Sequence, residues 1–174
     1  MLQYRPFGSD RLADVRALYE KEGWRAYLND DRKLEDALQN SLWLYGAFEG
    51  DRLIGFVRCV GDGQHILLVQ DLIVDPDFRG QGIGTALFKA AWETYAHVRM
   101  FMVVTDIPSE GANRFYQRLG MKPLEKGQMI GYFRAADPKT PKPIRRFPLP
   151  SVRLKKNRRE FFYGCLSARK TQTL

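Results

Sequence analysis

The stretch that decides the fold is Val74-Asp75-Pro76-Asp77-Phe78-Arg79-Gly80-Gln81-Gly82-Ile83-Gly84-Thr85. It follows a nearly continuous apolar run at residues 66–74, which is typical of a central strand covered on both faces. A helical pattern follows the turn, and a short apolar run at residues 99–105 follows the helix. Strand, helix and strand in this order form a crossover, so the sequence predicts two parallel strands with the glycine-rich turn after the first.

The composition of this turn suits an anion. Glycine at positions 80, 82 and 84 allows positive φ and lets a ligand approach the backbone closely. The N–H groups at the start of the following helix lack intrahelical partners, and the helix dipole favours negative charge there. Arg79 adds a positive charge. These features predict a phosphate-type site, although such a turn also serves as a plain tight exit from a strand into a helix.

Two nucleotide-binding motifs are excluded. The turn lacks G-x-x-x-x-G-K-[ST], and Thr85-Ala86-Leu87 after Gly84 breaks the dinucleotide pattern G-x-G-x-x-G. The strand before the turn also ends an antiparallel meander, which argues against a doubly wound nucleotide fold. The meander consists of extended segments at residues 42–49, 52–60 and 66–74.

The remaining pattern completes an α+β domain with a central mixed, mostly antiparallel sheet and helices on both faces. A strand at residues 2–7 and two helices, ending near residues 23 and 40, precede the meander. The crossover is followed by a helix at residues 109–119 and a final pair of strands at residues 121–124 and 129–134. We expect the domain to be complete near residue 136.

Charge is distributed unevenly along the chain. Residues 1–138 carry 17 Lys and Arg against 19 Asp and Glu, a net charge of −2, whereas residues 139–174 carry 11 against 1, a net charge of +10. We expect a domain at residues 1–136 and a basic, proline-containing, disordered C-terminal tail at residues 137–174. Such a tail could contact nucleic acid or an anionic surface, or could be a solvated extension without a role of its own.

Targeting signals and metal motifs are not visible in the sequence. No apolar run approaches the roughly 20 residues of a membrane-spanning helix, and the first residues lack the apolar stretch of a signal peptide. We therefore expect a cytoplasmic protein, and the sequence leaves a homodimer open. Cys59 and Cys165 have no metal-ligand spacing, so no metal site is predicted.

Two blocks of the sequence resemble one family. Residues 79–84 resemble the [RQ]-x-x-G-x-[GA] signature with which the GNAT acetyltransferase superfamily binds acetyl-coenzyme A (acetyl-CoA). Residues 112–121, ANRFYQRLGM, resemble the A-x-x-F-Y-x-x-x-G-[FM] segment of the same superfamily. The resemblance covers about residues 1–136 and implies the GNAT fold, in which two central parallel strands splay apart. It also implies an N-acetyltransferase that moves the acetyl group of acetyl-CoA to a primary amine by direct attack.

The resemblance also assigns residues to the donor. The pantetheine arm would pair with strand backbone, and the pyrophosphate would bind the glycine-rich turn. Many members have Asn where this chain has Ser109, so no role is carried over to that residue. The assigned residues are Leu72, Ile73 and Val74 for the pantetheine arm, and Arg79, Gly80, Gln81, Gly82, Ile83, Gly84 and Thr85 for the pyrophosphate.

Two residues are candidates for the chemistry. Tyr116 matches the family tyrosine that donates a proton to the departing sulfur, and the alternative is an aromatic side chain packed in the core. Asp71 interrupts the apolar run where the family sheet opens, so its carboxylate could take the amine proton directly or through water. The alternative for Asp71 is a structural carboxylate bonded to loop backbone. In a regular strand Gln70 alternates to the other face.

The acceptor is expected beside the connection between the first two helices. Trp24 and Tyr27 could face a hydrophobic or aromatic amine, and this Gly-Trp element resembles members that act on small amines, including arylalkylamines. The acidic body would attract a cation, so we predict a small-molecule amine. The alternatives are a protein or peptide N-acetyltransferase, a non-catalytic coenzyme A-binding regulatory module, and a nucleic-acid-associated protein that acts through its tail.

Overall fold

The computed structural model describes residues 1–134. The chain divides into two units, residues 1–130 and 131–174, and the first contains every helix and strand of the described part. Its centre is a five-stranded sheet in the order β1-β2-β3-β4-β5. The strands are β1 (Leu2–Pro6), β2 (Trp43–Glu49), β3 (Arg52–Gly61), β4 (Ile66–Val74) and β5 (Met100–Val103).

The strand directions follow from the connections. From β1 to β4 each strand pairs antiparallel with the next, and β4 pairs parallel with β5 across the helical crossover. The predicted α+β fold with a mixed, mostly antiparallel sheet is therefore confirmed. No helix in the described part is long and apolar enough to cross a membrane.

Helices cover both faces of the sheet. The α-helices of the described part are α1 (Leu12–Glu22), α2 (Asp31–Gln39), α3 (Ile83–Thr94) and α4 (Glu110–Arg118). We call the cluster that α1 and α2 form with Phe48, Phe56 and Ile73 of the sheet the α1-side core. The cluster that α3 forms with Val57 and Val69 is the α3-side core. The two cores together bury the central strands, as the apolar run of β4 indicates.

β4 is longer than β5 and continues past its end. Residues 66–69 of β4 pair with residues 100–103 of β5, whereas residues 70–74 have no strand partner on that side in the described part. β5 ends at Val103, so the sheet opens beyond it. The result is a gap that runs along β4 toward the glycine-rich turn after Val74.

A β-bulge in β4 lies where this gap begins. On β3, Arg58 pairs with Asp71 and Cys59 pairs with Val69, so Gln70 is an extra residue in β4. An extra residue bends a strand and disturbs the alternation of its side chains. The alternation of side chains between the two faces of the sheet is therefore shifted by one position between the two halves of β4.

The prediction of a final pair of strands at residues 121–124 and 129–134 is wrong, because neither segment is a strand. The Met121 N–H donates to the Tyr116 carbonyl at the end of α4, at 3.1 Å, and Pro123 has no N–H. The first segment thus lacks the donors of a strand ladder, and it continues into a short 3₁₀ helix. The second segment then has no neighbouring strand with which to pair.

The predicted tail at residues 137–174 lies outside the described residues, so the domain boundary near residue 136 stays a prediction. Residues 131–134, the described part of the second unit, contain neither helix nor strand. Within residues 1–134, no group of three or more His, Cys, Asp or Glu side chains could hold a metal ion.

Candidate active site

The glycine-rich turn presents a row of backbone donors. In the described part of the chain, the N–H groups of residues 80–85 have no hydrogen-bond partner, and the next one, from Ala86, donates to the Gly82 carbonyl at 2.9 Å. Gly80 and Gly82 have φ of 77° and 81°, in the left-handed region that favours glycine. No atom lies within 4 Å of the position that a Cβ would take at either residue. Open donors at the start of α3 suit phosphate oxygens.

A buried carboxylate anchors the entrance of this turn. Asp75 is 1% exposed and accepts hydrogen bonds from Lys21 Nζ at 2.8 and 2.9 Å and from Arg52 Nη2 at 2.7 Å. It also accepts the Asp77 N–H at 3.2 Å. Burial raises the pKa of Asp75, but these donors outweigh burial and hold the pKa below its usual range. The turn is thereby fixed to α1 and β3.

Arg79 is engaged at the base of the turn. Its Nε donates to the Val74 carbonyl at 3.1 Å, and its Nη2 donates to the Glu22 carboxylate. Glu22 is the last residue of α1, so this contact joins the turn to the element that leads toward Trp24. The guanidinium that was predicted to meet the pyrophosphate therefore has a protein carboxylate as its partner.

The strand residues predicted to line the pantetheine arm flank the gap. Leu72 and Val74 are half-buried against the α3-side core, whereas Ile73 is 3% exposed in the α1-side core. On the turn Gln81 is exposed, and Ile83 is 1% exposed, so only the backbone of Ile83 can face a ligand. We call residues 70–74 and 80–85 together the donor strip. Its last two residues, half-buried in the first turn of α3, are Gly84 and Thr85.

Asp71 lies at the centre of a buried polar cluster. It is 1% exposed, and its Oδ2 accepts hydrogen bonds from Arg58 Nε and, at 3.0 Å, from the Tyr19 hydroxyl. Arg58 is itself 6% exposed, so the two charges form a buried ion pair. The second oxygen, Oδ1, has no hydrogen-bond partner in the described part of the chain. The partners of Asp71 are thus side chains of β3 and α1 rather than loop backbone.

Gln70 lies on the same side of the sheet as Asp71, which corrects the expectation that it alternates to the other face. Its Nε2 donates to the Tyr27 hydroxyl at 3.2 Å, and Tyr27 stacks on Tyr19 with ring centroids 4.8 Å apart. The bulge is the physical reason, because an extra residue places two neighbouring polar side chains on one side of a strand.

The residues predicted to face the acceptor, Trp24 and Tyr27, extend this cluster. Both are half-buried, their ring centroids lie 6.0 Å apart, and Trp24 lies 5.6 Å from Tyr19. Burial raises the pKa of Tyr19, and the charge of Asp71 raises it further, so this phenol stays a donor at neutral pH. We call the set the acceptor cluster; its members are Tyr19, Trp24, Tyr27, Arg58, Gln70 and Asp71.

Tyr116 belongs to α4 and packs against the α3-side core, with its ring centroid 5.6 Å from that of Phe88. Burial raises the pKa of Tyr116 to about 12, and the charge of Asp71 adds to the effect. A phenol with this pKa is protonated at neutral pH. Tyr116 is therefore packed in the core and still carries a hydroxyl proton that it can donate.

The residues of these contacts that had not been predicted include Arg58, Tyr19 and Glu22. The sequence did contain a signal for Arg58, which is a cation inside the apolar run of β3. Because β3 neighbours β4 in the meander, Arg58 could have been proposed as the partner of Asp71. Tyr19 shows only the spacing of an apolar helix stripe, which does not reveal a hydroxyl partner. Glu22 carries no local signal, since its partner Arg79 is distant in the sequence.

Comparison with known proteins identifies the family. The model of the acetyltransferase (GNAT) family matches residues 9–121. A GNAT family acetyltransferase of known structure from Streptococcus pneumoniae is 32% identical, with a TM-score of 0.65. That match covers 78% of this chain and 97% of the Streptococcus chain.

Two curated relatives carry related names. An uncharacterised N-acetyltransferase of Methanocaldococcus jannaschii is 38% identical over 90 residues, which are 47% of this chain but only 38% of that protein. An uncharacterised ycf52-like N-acetyltransferase of Prochlorococcus marinus is 29% identical over 128 residues, 71% of this chain and 69% of that protein. Because the family match spans residues 9–121 of 174, more than half of the sequence, the chain belongs to the acetyltransferase (GNAT) family and carries a GNAT acetyltransferase domain.

Proposed function

We propose that the protein transfers the acetyl group of acetyl-CoA to a primary amine of a small molecule, by direct attack within a ternary complex. The observation that carries the proposal is the continuity of the donor strip. Residues 70–74 have no strand partner on the side away from β3, and residues 75–79 connect them to the free N–H groups of residues 80–85, as judged within the described part of the chain.

The donor strip fits both halves of acetyl-CoA, which the family uses. An extended arm with amide groups can pair with the free edge of β4, in the way a peptide adds to a sheet. Phosphate oxygens can accept hydrogen bonds from the turn, where Gly80 and Gly82 leave the backbone uncovered. When bound, acetyl-CoA would supply an electrophilic thioester carbonyl and a thiolate leaving group.

Asp71 is the proposed acceptor of the amine proton. Arg58 and Tyr19 hold Oδ2, so Oδ1 is left to take a proton from an ammonium group, directly or through a water molecule. The freed nitrogen lone pair then attacks the thioester carbonyl, and the C–N bond forms as the C–S bond breaks. Arg58 and Tyr19 act here as positioning residues, because they fix the orientation of the carboxylate.

Tyr116 is the proposed donor to the departing sulfur. An ordinary thiol has a pKa of about 8.5, whereas the pKa of Tyr116 is about 12. Complete proton transfer to the thiolate is therefore uphill, and Tyr116 stabilises the sulfur by donating a hydrogen bond. After the attack the nitrogen gives its second proton to solvent, and the thiolate takes one proton from solvent. The proton that Asp71 first accepts is then the one that the reaction of an ammonium group releases overall.

The cover over Asp71 supports a slender acceptor. The carboxylate is 1% exposed and lies against the stacked rings of Tyr19 and Tyr27, with Trp24 beside them. We expect an unbranched primary amine to reach such a site more readily than a bulky amine.

The test is an amine panel with the full chain. Acetyl-CoA is incubated with arylalkylamines, linear diamines and a lysine-containing peptide while free thiol is measured. We expect thiol release that depends on a small amine. Tight binding of coenzyme A without amine-dependent release would instead indicate a regulatory module, and a clear preference for the peptide would overturn the small-molecule acceptor.

A further inference from the structure

We propose that Glu22 competes with the donor pyrophosphate for Arg79, so that the end of α1 sets the affinity of the donor site. The inference rests on the proposed function, because it requires the turn at residues 79–85 to bind the pyrophosphate. It concerns a residue that lies outside both sequence blocks on which the family resemblance depends.

The last turn of α1 makes two different contacts with the glycine-rich turn. Lys21 binds Asp75, whose side chain is 2% exposed, and this contact is a buried anchor. The ion pair of Glu22 with Arg79 is more open, since the side chains are 28% and 50% exposed. Pairs in contact with solvent contribute only about 0.2–1 kcal/mol, so a competing anion can replace the carboxylate.

Glu22 is poorly placed for the stability of its own helix. It is the last residue of α1, where the helix dipole presents partial negative charge, and the next residue, Gly23, ends the helix with φ of 75°. A carboxylate here is unfavourable unless a cation lies close by. The contact with Arg79 supplies that cation, so Glu22 is held by the turn rather than by its helix.

Arg79 is the only Lys or Arg in the stretch from residue 75 to residue 85. Its Nε is held on the Val74 carbonyl at 3.1 Å, so the guanidinium stays at the base of the turn whichever anion binds its outer N–H groups. A pyrophosphate carries more charge than a carboxylate and offers several oxygens to the guanidinium fork. When the pyrophosphate binds Arg79 it displaces the Glu22 carboxylate. The displaced carboxylate stays close by and repels the pyrophosphate. Both effects make Glu22 weaken donor binding.

Calorimetric titration with coenzyme A tests the competition without any need for turnover. The full chain is compared with Glu22→Gln, Arg79→Gln and the double variant. Glu22→Gln should lower Kd about two- to fivefold, the range expected for one exposed ion pair. Glu22→Lys should lower it further. In the Arg79→Gln background the effect of Glu22→Gln should be smaller, because only the direct repulsion of the pyrophosphate by the carboxylate remains.

Glu20→Gln is the matched control, because it removes the same charge from the same helix but from a residue paired with Arg16. An unchanged or higher Kd for Glu22→Gln would overturn the inference, and so would an equal decrease for Glu20→Gln or an undiminished decrease in the Arg79→Gln background. If the unaltered protein fails to bind coenzyme A, the proposed function itself is lost. Melting curves establish that each variant is folded.

Discussion

The donor strip and the acceptor cluster meet at residues 70 and 71 of β4, but they present different chemical groups to a ligand. In the donor strip the groups that face a ligand are the N–H groups of residues 80–85, which have no partners in the described residues, and the edge of residues 70–74, which has no strand partner there. In the acceptor cluster they are side chains, buried and bonded to one another around Asp71. The donor strip thus offers backbone groups that are free to bind a ligand, whereas the acceptor cluster holds its side chains in place by hydrogen bonds to one another.

This difference determines what each region can tolerate. A site made of backbone depends on conformation, so most of its side chains can change while its glycines cannot. A site made of buried side chains depends on their identities, because removal of one member leaves another without a partner. The following experiments test this contrast, beginning with the largest expected effect.

Asp71→Asn should affect the acceptor cluster most strongly. It leaves Arg58 buried without a counter-charge, so the free energy of unfolding should fall by about 3–5 kcal/mol. The loss of the proton acceptor should lower kcat/KM for the amine by about 10²–10⁴-fold. The Kd for coenzyme A should not change, because the substitution leaves the backbone of the donor strip as it is. Urea unfolding, thiol release and calorimetry measure the three quantities.

Arg58→Lys is the matched variant for Asp71, since it disturbs the same ion pair but keeps the carboxylate. It should lower stability while retaining most of the activity per folded molecule. If both variants lose activity to the same extent, Asp71 is a structural carboxylate and the proposed role is wrong.

Tyr116→Phe removes the hydrogen bond to the departing sulfur and should lower kcat by about 10²-fold, the lower end of the range for loss of one preorganised hydrogen-bond donor. The phenyl ring retains the packing against Phe88, so stability and the Kd for coenzyme A should be nearly unchanged. Tyr95→Phe serves as the control, because Tyr95 is also a half-buried tyrosine of the α3-side core. Turnover that stays unaltered across pH would remove Tyr116 from the mechanism.

Gly82→Ala should act on the donor strip. The left-handed conformation of this residue, with φ of 81°, is unfavourable for alanine by about 1–2 kcal/mol. We expect the Kd for coenzyme A to rise about tenfold, which corresponds to about 1.4 kcal/mol. Gly111→Ala is the control, since its Cβ would meet nothing within 4 Å and its φ is not in that region. Equal effects of the two substitutions on Kd would contradict a site made of backbone.

The smallest effect concerns the anchor of the donor strip. The pKa of Asp75 is lowered in the folded protein, so its charge contributes stability above its ordinary pKa. That contribution is lost as the pH falls through the lowered value. Between about pH 5 and about pH 2, the free energy of unfolding should therefore fall more steeply in the unaltered protein than in Asp75→Asn. Parallel curves from urea titrations would show that the anchor contributes nothing.

The contrast also explains how much could be predicted from the sequence. The donor strip follows from local features, because glycine spacing and the strand before it dictate where N–H groups stay free. The partners of Asp71 depend on Arg58 and Tyr19, which come from other elements. The failed strands at residues 121–124 and 129–134 show the same limit. Their apolar residues favour a sheet, but the end of α4 takes the Met121 N–H.

The bulge at Gln70 has a consequence for the number of residues in β4. Val69 and Leu72 both pack in the α3-side core although an odd number of positions separates them, which regular pleating forbids. The extra residue shifts the alternation of side chains by one position. Val69 and Leu72 can therefore pack in the same core, while Asp71 and Gln70 contact the stacked rings of Tyr19 and Tyr27 on the other face. Between residues 69 and 72 chain length is therefore constrained as strictly as residue identity. A chimaera joined within β4 must preserve that count, or its carboxylate will face the wrong layer.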